Sequence, residues 1–195
     1  MQHDASTGGD TAGRLVFLIG PSGSGKDSLI DAARGPLAEA GVEIARRVIT
    51  RSAEAKGEAA HGVTAQGFEQ LRAEGAFAMH WRANGLDYGI LAQVDQWLAQ
   101  GHSVLVNGSR AYLPEARRRY PNLLAVCLEV ETAVLRERLL ARGRETPQEV
   151  DQRLARNARL QGEADGAVHR LDNSGALDEA VAALLALLRR EGVIH

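Results

Sequence analysis

The chain has 195 residues, of which 45% are apolar and 25% are charged, and its formal net charge is −2 at pH 7. This length suits one well-buried domain and excludes two ordinary ones, and the near-neutral charge gives no bulk attraction to nucleic acid or to acidic membranes, so neither is expected as a partner. No apolar stretch approaches the roughly 20 residues of a membrane span, and the single cysteine, Cys127, allows no disulfide within the chain, which favours a cytoplasmic location.

Apolar runs alternate with amphipathic segments, a pattern that predicts an α/β fold with a largely parallel sheet. The predicted strands cover residues 15–19, 44–50, 103–107, 123–130 and 168–171. Helical spacing predicts helices near 27–40, 91–100, 112–120, 132–142, 146–163 and 176–191. We expect residues 1–13 to be a loose polar tail and residues 14–195 to form one domain. Within it, a segment from about Arg51 to Trp81 breaks the alternation and predicts a small subdomain laid over the core.

Two kinds of helix boundary are marked in the sequence. Thr146-Pro147-Gln148-Glu149 has the pattern of a capping box with proline at the first helical position, so a helix is predicted to begin there. Gly101 and Gly143 stand where the preceding helices are expected to end.

A glycine-rich stretch lies between the first predicted strand and the first predicted helix. Strand, glycine-rich turn and helix in this order form the phosphate-binding loop G-x-x-x-x-G-K of nucleotide-binding proteins. Glycine lets the backbone curl so that successive N–H groups point at phosphate oxygens, and the lysine adds a mobile positive charge. We therefore predict that nucleotide phosphates are bound by Gly20, Pro21, Ser22, Gly23, Ser24, Gly25, Lys26, Asp27 and Ser28.

The residue after the loop lysine is Asp27, at the position where Ser or Thr usually holds Mg²⁺ through its hydroxyl. Ser28 lies one residue further along the helix, rotated by about 100°, and does not simply replace that hydroxyl. Two interpretations of Asp27 stay open: the carboxylate holds Mg²⁺ directly or through water, or it only complements the helix N-terminus. We expect the metal role, since an anion beside a triphosphate is repelled unless a cation lies between them.

Arginines are dense in the two helices predicted at 132–142 and 146–163. One interpretation is a solvated basic face that pairs with neighbouring glutamates. The other is a lid of two helices and a glycine turn that closes over a nucleotide and brings guanidinium groups to a transferring phosphoryl. The candidates for that catalytic role, together with Lys26, are Arg142, Arg144 and Arg153.

Three further stretches carry polar and aromatic groups next to predicted strand ends. They are Thr50-Arg51, a turn-rich loop at 81–89, and Asn107-Gly108-Ser109-Arg110, which follows the strand at 103–107. The carboxyl ends of strands in open α/β sheets are where ligands bind, although each stretch alone is compatible with ordinary loop chemistry. Together they predict one acceptor pocket formed by Arg51, Tyr88, Asn107, Ser109 and Arg110.

From Leu15 to about Leu188 the chain resembles the guanylate kinase fold. The resemblance rests on the phosphate-binding loop, Thr50-Arg51, Gly57-Glu58, Tyr88-Gly89 and the run Leu139-Leu140-Ala141-Arg142-Gly143-Arg144-Glu145. It implies a P-loop kinase core with a largely parallel sheet, an acceptor-binding subdomain at about 51–90 and a helical lid at about 132–163. It also implies that Asn173, just before the last helix, contacts adenine.

The groups with which a guanylate kinase reads guanine are missing. The family's second phosphate-binding arginine is absent from 52–56 and its acceptor-contacting tyrosine from 61–64, while the guanine-reading glutamate falls near Met79 or His80. The family's aspartate-rich strand end has become Asn107-Gly108-Ser109. Arg51 and Tyr88 remain on the phosphate side. A pocket without base-reading groups discriminates poorly for GMP.

The remaining motifs are similar to those of the ribose 1,5-bisphosphate phosphokinases of bacterial phosphonate metabolism. They are Gly-Pro-Ser-Gly-Ser-Gly-Lys-Asp-Ser-Leu, Ile-Thr-Arg, Trp-x-Ala-Asn-Gly-Leu-x-Tyr-Gly, Leu-Val-Asn-Gly-Ser-Arg-Ala-x-Leu-Pro-x-Ala and Arg-Gly-Arg-Glu. The resemblance implies ATP and Mg²⁺ as cofactors, ribose 1,5-bisphosphate as the small-molecule substrate, and 5-phosphoribosyl 1-diphosphate and ADP as products. The alternatives are a kinase of GMP or dGMP and, in a different class, a non-catalytic guanylate kinase-like binding module, which has no need of Lys26 or of lid arginines.

Overall fold

The computed structural model describes residues 12–51, 60–160 and 167–195. These residues form nine strands and seven helices, in the chain order β1 (Leu15–Ile19), α1 (Lys26–Glu39), β2 (Val42–Ile44), β3 (Arg47–Ile49), β4 (His61–Gly62), α2 (Ala65–Ala73), β5 (Phe77–Ala83), β6 (Leu86–Leu91), α3 (Gln93–Ala99), β7 (Ser103–Asn107), α4 (Leu113–Arg119), β8 (Leu124–Glu129), α5 (Thr132–Ala141), α6 (Pro147–Leu160), β9 (His169–Asp172) and α7 (Leu177–Arg190). The predictions for the tail over 1–11, for 52–59 and for the helix end at 161–163 lie outside the described residues.

A five-stranded parallel sheet with the order β2-β7-β1-β8-β9 forms the core. Every residue of the central strand β1 is buried, because helices cover both faces of the sheet. Val16 and Leu18 pack with α1 and α7 on one face, whereas Leu15, Phe17 and Ile19 pack with α3 and α4 on the other. Burial on both faces explains why the strand is continuously apolar. The predicted α/β class with a largely parallel sheet is confirmed.

The single strand predicted at 44–50 is wrong. Its residues form two strands in two different sheets. β2 is an edge strand of the core sheet, whereas β3 belongs to a second, four-stranded sheet with the order β4-β3-β6-β5. The Ala45 N–H still donates to the Leu105 carbonyl oxygen in β7, at 2.9 Å, and the chain leaves the core sheet after that bond. One apolar run therefore joins the core to the smaller sheet.

The turn-rich loop predicted at 81–89 is also wrong, because this segment is a β-hairpin. β5 and β6 pair antiparallel, with Trp81 opposite Tyr88. Asn84 and Gly85, with φ of 51° and 76°, form the two-residue connection, and two successive positive φ values are what a tight hairpin turn requires. The Asn-Gly pair was the signal for this hairpin, and it places Tyr88 on a strand rather than in a loop.

The two lid helices have a small hydrophobic cluster of their own. The predicted capping box at the start of α6 is confirmed: the Thr146 N–H donates to Glu149 Oε2 at 2.8 Å, and the Glu149 N–H donates to Thr146 Oγ1 at 3.3 Å. Gly101 and Gly143, with φ of 86° and 63°, follow the ends of α3 and α5 as predicted. The cluster between α5 and α6 comprises Val130, Leu135, Leu139 and Val150. Of the helices in the described ranges, none has the length and apolar character that crossing a membrane demands.

Candidate functional site

The glycine-rich loop joins β1 to α1 at the carboxyl end of the parallel sheet. Gly20, Gly23 and Gly25 have φ of 157°, 88° and 89°, values that residues with a side chain rarely adopt, so the path of the loop depends on glycine. Gly25 is also the residue from which α1 begins, and a Cβ on it would lie 2.7 Å from Asn173 Nδ2. The loop therefore combines the backbone curl and the helix N-terminus that bind phosphate in P-loop proteins.

The Lys26 side chain folds back over the loop. Its Nζ donates to the carbonyl oxygen of Gly20 at 2.8 Å and to that of Pro21 at 3.2 Å. Burial and, to a lesser extent, the positive charge of Arg47 lower the pKa of Lys26, the carboxylate of Asp27 opposes the shift, and the resulting pKa is about 8. The lysine amine therefore lies at the place where a phosphate held by the loop needs a cation, and an added anion would favour its charged form.

This lowered pKa predicts a pH dependence of stability. Between pH 8 and the ordinary lysine pKa of 10.5, the unfolded chain holds a proton on Lys26 that the folded chain has lost, so stability rises with pH in that window. The free energy of unfolding of the wild type, minus that of Lys26→Met, should increase by roughly 2 kcal/mol from pH 7.5 to pH 10. Urea unfolding of both proteins measures this difference, in which other titrating groups cancel; two parallel pH profiles would refute it.

Asp27 lies in the first turn of α1 and faces the end of β7. Its Oδ1 accepts a hydrogen bond from Asn107 Nδ2 at 2.7 Å and lies 3.9 Å from Arg47 Nη2. Asn107 is only 4% exposed, and its Oδ1 has no hydrogen-bond partner among the described residues. A carboxylate beside an unsatisfied amide oxygen is a donor set that suits Mg²⁺. No group of three His, Cys, Asp or Glu side chains suited to a metal occurs in the described part of the chain, so such an ion would depend on Asp27, Asn107 and nucleotide phosphates.

Close packing of Gly108 against β1 fixes the position of Asn107. The Gly108 N–H donates to the Leu18 carbonyl oxygen at 2.8 Å. A Cβ on Gly108 would lie 2.3 Å from the Phe17 ring, a distance that no side chain permits. Ser109 and Arg110 follow and are partly buried, and the charge of Arg110 is close enough to act on Lys26. Of the predicted acceptor residues, Asn107 and Arg110 thus lie beside the phosphate-binding loop.

Three aromatic rings in mutual contact lead to an arginine that the sequence analysis missed. The ring centroids of Tyr112 and Trp81 are 5.3 Å apart, and those of Trp81 and Tyr88 are 5.8 Å apart with the rings nearly parallel. The Arg47 guanidinium carbon lies 5.1 Å from the Tyr88 centroid, within cation–π range. We call Tyr112, Trp81 and Tyr88 the aromatic column. It links the start of α4 to Arg47 and, through Arg47, to Asp27.

A cavity of about 540 Å³ opens beside the loop, with Asp27 and Asn107 among its lining residues. Its lining combines arginines with apolar side chains: Arg34, Arg46, Arg47, Ile30, Ile44, Val94 and Trp97. Arg51 lies instead in a separate groove of about 370 Å³, which Thr50, Arg82 and Asp87 also line. The structure therefore divides the predicted acceptor residues: Asn107 lines the cavity, Tyr88 contacts Arg47 at its wall, and Arg51 lines a different groove.

One of the three candidate lid arginines contacts the phosphate-binding loop. Arg153 in α6 donates from Nη1 to Ser22 Oγ at 3.2 Å and forms an ion pair with Glu145. Arg142 and Arg144 flank Gly143, are exposed, and make no hydrogen bond or ion pair with any described side chain. Arg138 in α5, which the sequence analysis did not select, lies 4.0 Å from a Cβ built on Gly25. Arginines from both lid helices thus reach the loop.

Asn173 anchors the phosphate-binding loop to the end of β8 through hydrogen bonds. It is 4% exposed, its Nδ2 donates to the Ser24 carbonyl oxygen at 2.8 Å, and its N–H donates to the Glu129 carbonyl oxygen at 2.8 Å. Ser24 is fully buried, and its Oγ has no partner among the described residues, whereas Ser28 is exposed on α1. The contact of Asn173 with adenine remains a prediction, and the structure adds a second role that the sequence did not suggest.

Replacing Asn173 by alanine should destabilise the protein by about 1–3 kcal/mol, because the buried Ser24 carbonyl loses its donor. Urea unfolding measures the loss, and the exposed Asp178→Asn serves as control. A contact with adenine would in addition change the ratio of ATP to GTP affinity. A variant as stable as the wild type would contradict the role of Asn173 in anchoring the phosphate-binding loop.

Comparisons with known proteins agree on one family. No protein-family model matches the chain. The protein named ribose 1,5-bisphosphate phosphokinase PhnN of Pseudomonas paraeruginosa (strain DSM 24068 / PA7) is 64% identical over 176 residues, which cover 90% of this chain and 95% of that protein. The protein of the same name from Azotobacter vinelandii is 60% identical, over 91% of this chain and 97% of that protein. The one from Thiobacillus denitrificans is 46% identical, over 90% of this chain and 93% of that protein.

Solved structures give the fold. A guanylate kinase from Anaplasma phagocytophilum superposes with a TM-score of 0.70 at 18% identity, covering 93% of this chain and 87% of that one. A gluconokinase from Sinorhizobium meliloti 1021 superposes with a TM-score of 0.50 at 22% identity, covering 92% and 93%. The predicted guanylate kinase-like P-loop fold is confirmed; at such identities, these structures say nothing about the acceptor.

Proposed function

The chain belongs to the ribose 1,5-bisphosphate phosphokinase family, and on this premise we propose that it transfers the γ-phosphoryl of ATP to the 1-phosphate of ribose 1,5-bisphosphate. The products are 5-phosphoribosyl 1-diphosphate and ADP. The observation that carries the proposal is the identity of 64% and 60% with two relatives of that name over 176 and 178 residues. Such identity over nearly the whole length includes the loop, the cavity and the lid.

The reaction makes modest demands on covalent chemistry. An oxygen of the acceptor's 1-phosphate attacks the γ-phosphorus in line, the bond from that phosphorus to the β,γ-bridging oxygen breaks, and its electron pair stays with ADP. The attacking phosphate is already ionised, so no general base is needed. The protein must instead align two polyanions and neutralise the charge spread over the transferring group.

The nucleotide side of this task falls to the loop and the lid. We assign Lys26 and the loop N–H groups to the β- and γ-phosphates, and Asn173 to adenine. Arg153, which already contacts Ser22, and the exposed Arg142 and Arg144 bring positive charge to the transferring group when the lid closes. Asp27 and Asn107 would hold Mg²⁺, which would neutralise phosphate charge.

The acceptor side falls to the cavity beside the loop. Three arginines and two aspartates, Asp27 and Asp31, line it, and this excess of positive groups suits an acceptor with two phosphates better than a neutral base. The position expected to read guanine falls near Met79 or His80. Met79 is 1% exposed and packs in the core, where it offers no hydrogen-bonding group to a base, whereas His80 is exposed on β5. Tyr88, Ser109 and Arg110 complete the acceptor surface at this cavity, and the acceptor role of Arg51, which lines the separate groove, stays a prediction. These features favour the sugar phosphate over GMP, although a second candidate acceptor remains part of the test below.

The function is tested with a panel of three acceptors: ribose 1,5-bisphosphate, ribose 5-phosphate and GMP. The release of ADP is followed with each acceptor at saturating ATP and Mg²⁺. We expect kcat/KM for ribose 1,5-bisphosphate to exceed that for GMP by at least about 100-fold, since the groups that would pair with guanine are missing. Faster turnover of GMP would overturn the substrate assignment, and no turnover of any acceptor would favour the binding module.

Cytoplasmic action in phosphonate degradation follows from the same proposal, with small molecules rather than nucleic acid as partners. Cys127 is partly buried in β8, and burial raises the pKa of its thiol. A protonated thiol is a poor nucleophile. We therefore assign Cys127 to the packing of the core and give it no part in the reaction.

A further inference from the structure

Arg47 is held in place from two sides. Its side chain is 11% exposed, it stacks on Tyr88 at the end of the aromatic column, and its Nη2 lies 3.9 Å from Asp27 Oδ1. Holding an arginine so rigidly costs side-chain entropy. The cost is offset when a fixed guanidinium meets a ligand whose geometry matches its planar fork.

The charges around Arg47 indicate what that ligand is. Arg47 and Arg110 both act on the nearby Lys26, and the only carboxylate that acts on this lysine in the described residues is Asp27. The Asp27 Oδ1 already accepts from Asn107 at 2.7 Å, so the Arg47 contact at 3.9 Å is long for a hydrogen bond. Lys26, Arg47 and Arg110 thus bring three cationic groups to the place where two polyanions must meet.

The position of Arg47 separates it from the nucleotide side. Arg47 lines the cavity of about 540 Å³, whereas Lys26 lies within the loop and does not line that cavity. Asp27 and Asn107 stand at the boundary, since both line the cavity and Asp27 follows the loop lysine. A phosphate that enters through the cavity therefore meets Arg47 before it meets the γ-phosphoryl held by Lys26.

We propose that Arg47 binds the attacking phosphate of the acceptor through its guanidinium fork, and that the aromatic column holds the guanidinium in the orientation required. This proposal rests on the proposed function. It names Arg47 as the residue that binds the 1-phosphate, the group of the acceptor that reacts. Phosphate recognition by an arginine fork adds geometric specificity to charge. The competing explanation is that Arg47 only neutralises Asp27.

The experiment compares Arg47→Met, Arg47→Lys and the exposed Arg72→Met of α2, whose arginine pairs with Glu69. The Met variant should raise the KM for ribose 1,5-bisphosphate by about 30- to 100-fold and leave the KM for ATP within about threefold, as expected from losing a charged hydrogen bond. Arg47→Lys keeps the charge without the fork and should recover about a third of that loss on a logarithmic scale. Arg72→Met should match the wild type.

A second pair of variants removes the competing explanation. In an Asp27→Ser background the Asp27 carboxylate is absent, so Arg47 cannot act by neutralising it, and the serine supplies the hydroxyl usual in P-loops. If Arg47 binds the acceptor, Arg47→Met still raises the acceptor KM about 30-fold or more in this background. An unchanged KM there, or an equal rise in the KM of ATP, would overturn the proposal.

The acceptor preference of the wild type tests the proposed function, whereas the Arg47 variants test the role of Arg47. If the wild type phosphorylates GMP instead of ribose 1,5-bisphosphate, the function fails, and the same variants are compared on the KM for GMP. Circular dichroism and thermal unfolding establish that each variant is folded. If Arg47→Met does not fold, Arg47→Lys decides: an acceptor KM equal to that of the wild type would contradict a role for the fork.

Discussion

Replacing Lys26 by alanine is expected to lower kcat by about 10³-fold or more while leaving a folded protein, because one charge-stabilising donor in a preorganised site contributes about that factor. The lysine amine lies over the loop, at 2.8 and 3.2 Å from two loop carbonyl oxygens. In the proposed reaction the amine moves from these oxygens to the phosphates of ATP. Steady-state release of ADP with ribose 1,5-bisphosphate measures the loss.

The control for Lys26→Ala is Glu39→Ala, at the exposed end of the same helix, which should keep wild-type turnover. Both variants should show the circular dichroism of the wild type. Turnover by Lys26→Ala within tenfold of the wild type would contradict the assignment of the loop. An unfolded Lys26→Ala would instead show that the lysine holds the loop together, which Lys26→Met tests again with a longer apolar side chain.

Replacing Asp27 by asparagine is expected to raise the Mg²⁺ concentration for half-maximal activity by about 10- to 100-fold, because a charged oxygen ligand is lost. The change is conservative in shape, and the amide oxygen of the variant still accepts from Asn107 Nδ2. It therefore removes the charge and little else. Mg²⁺ titrations of kcat at saturating ATP and acceptor measure the effect.

Asp27→Ser is the matched variant, since a hydroxyl at this position is the usual Mg²⁺ ligand of a P-loop. It should restore most of the Mg²⁺ affinity that Asp27→Asn loses. If both variants titrate like the wild type, Asp27 serves only the N-terminus of α1, the other interpretation that the sequence left open. The hydrogen bond from Asn107 is compatible with either role, so the titration decides between them.

Local patterns in the sequence predicted most of the core and its family. The β1 run, the glycines of the loop, the capping box of α6 and the glycines after α3 and α5 each depend on interactions within a few residues. Such signals are visible without knowledge of the tertiary structure. The resemblance to ribose 1,5-bisphosphate phosphokinases, drawn from short motifs, is confirmed by the curated relatives.

The acceptor side was predicted less well because it depends on pairing between distant segments. Arg47 meets Tyr88 only because β3 pairs with β6, an arrangement that places Ile49 opposite Tyr88. That pairing requires the hairpin at Asn84-Gly85, which was interpreted as a loop, and a change of sheet between β2 and β3. Likewise, the bond from Asn173 to Ser24 joins residues 149 positions apart. Neither contact leaves a local signal.

The central claim, transfer of the ATP γ-phosphoryl to the 1-phosphate of ribose 1,5-bisphosphate, is tested most directly by ³¹P NMR of the complete reaction. We predict that the signal of the sugar 1-phosphate disappears as ATP is consumed, that two mutually coupled diphosphate signals appear in addition to those of ADP, and that the 5-phosphate signal persists. Conversion of ATP to ADP and inorganic phosphate with both sugar phosphate signals unchanged would contradict the claim.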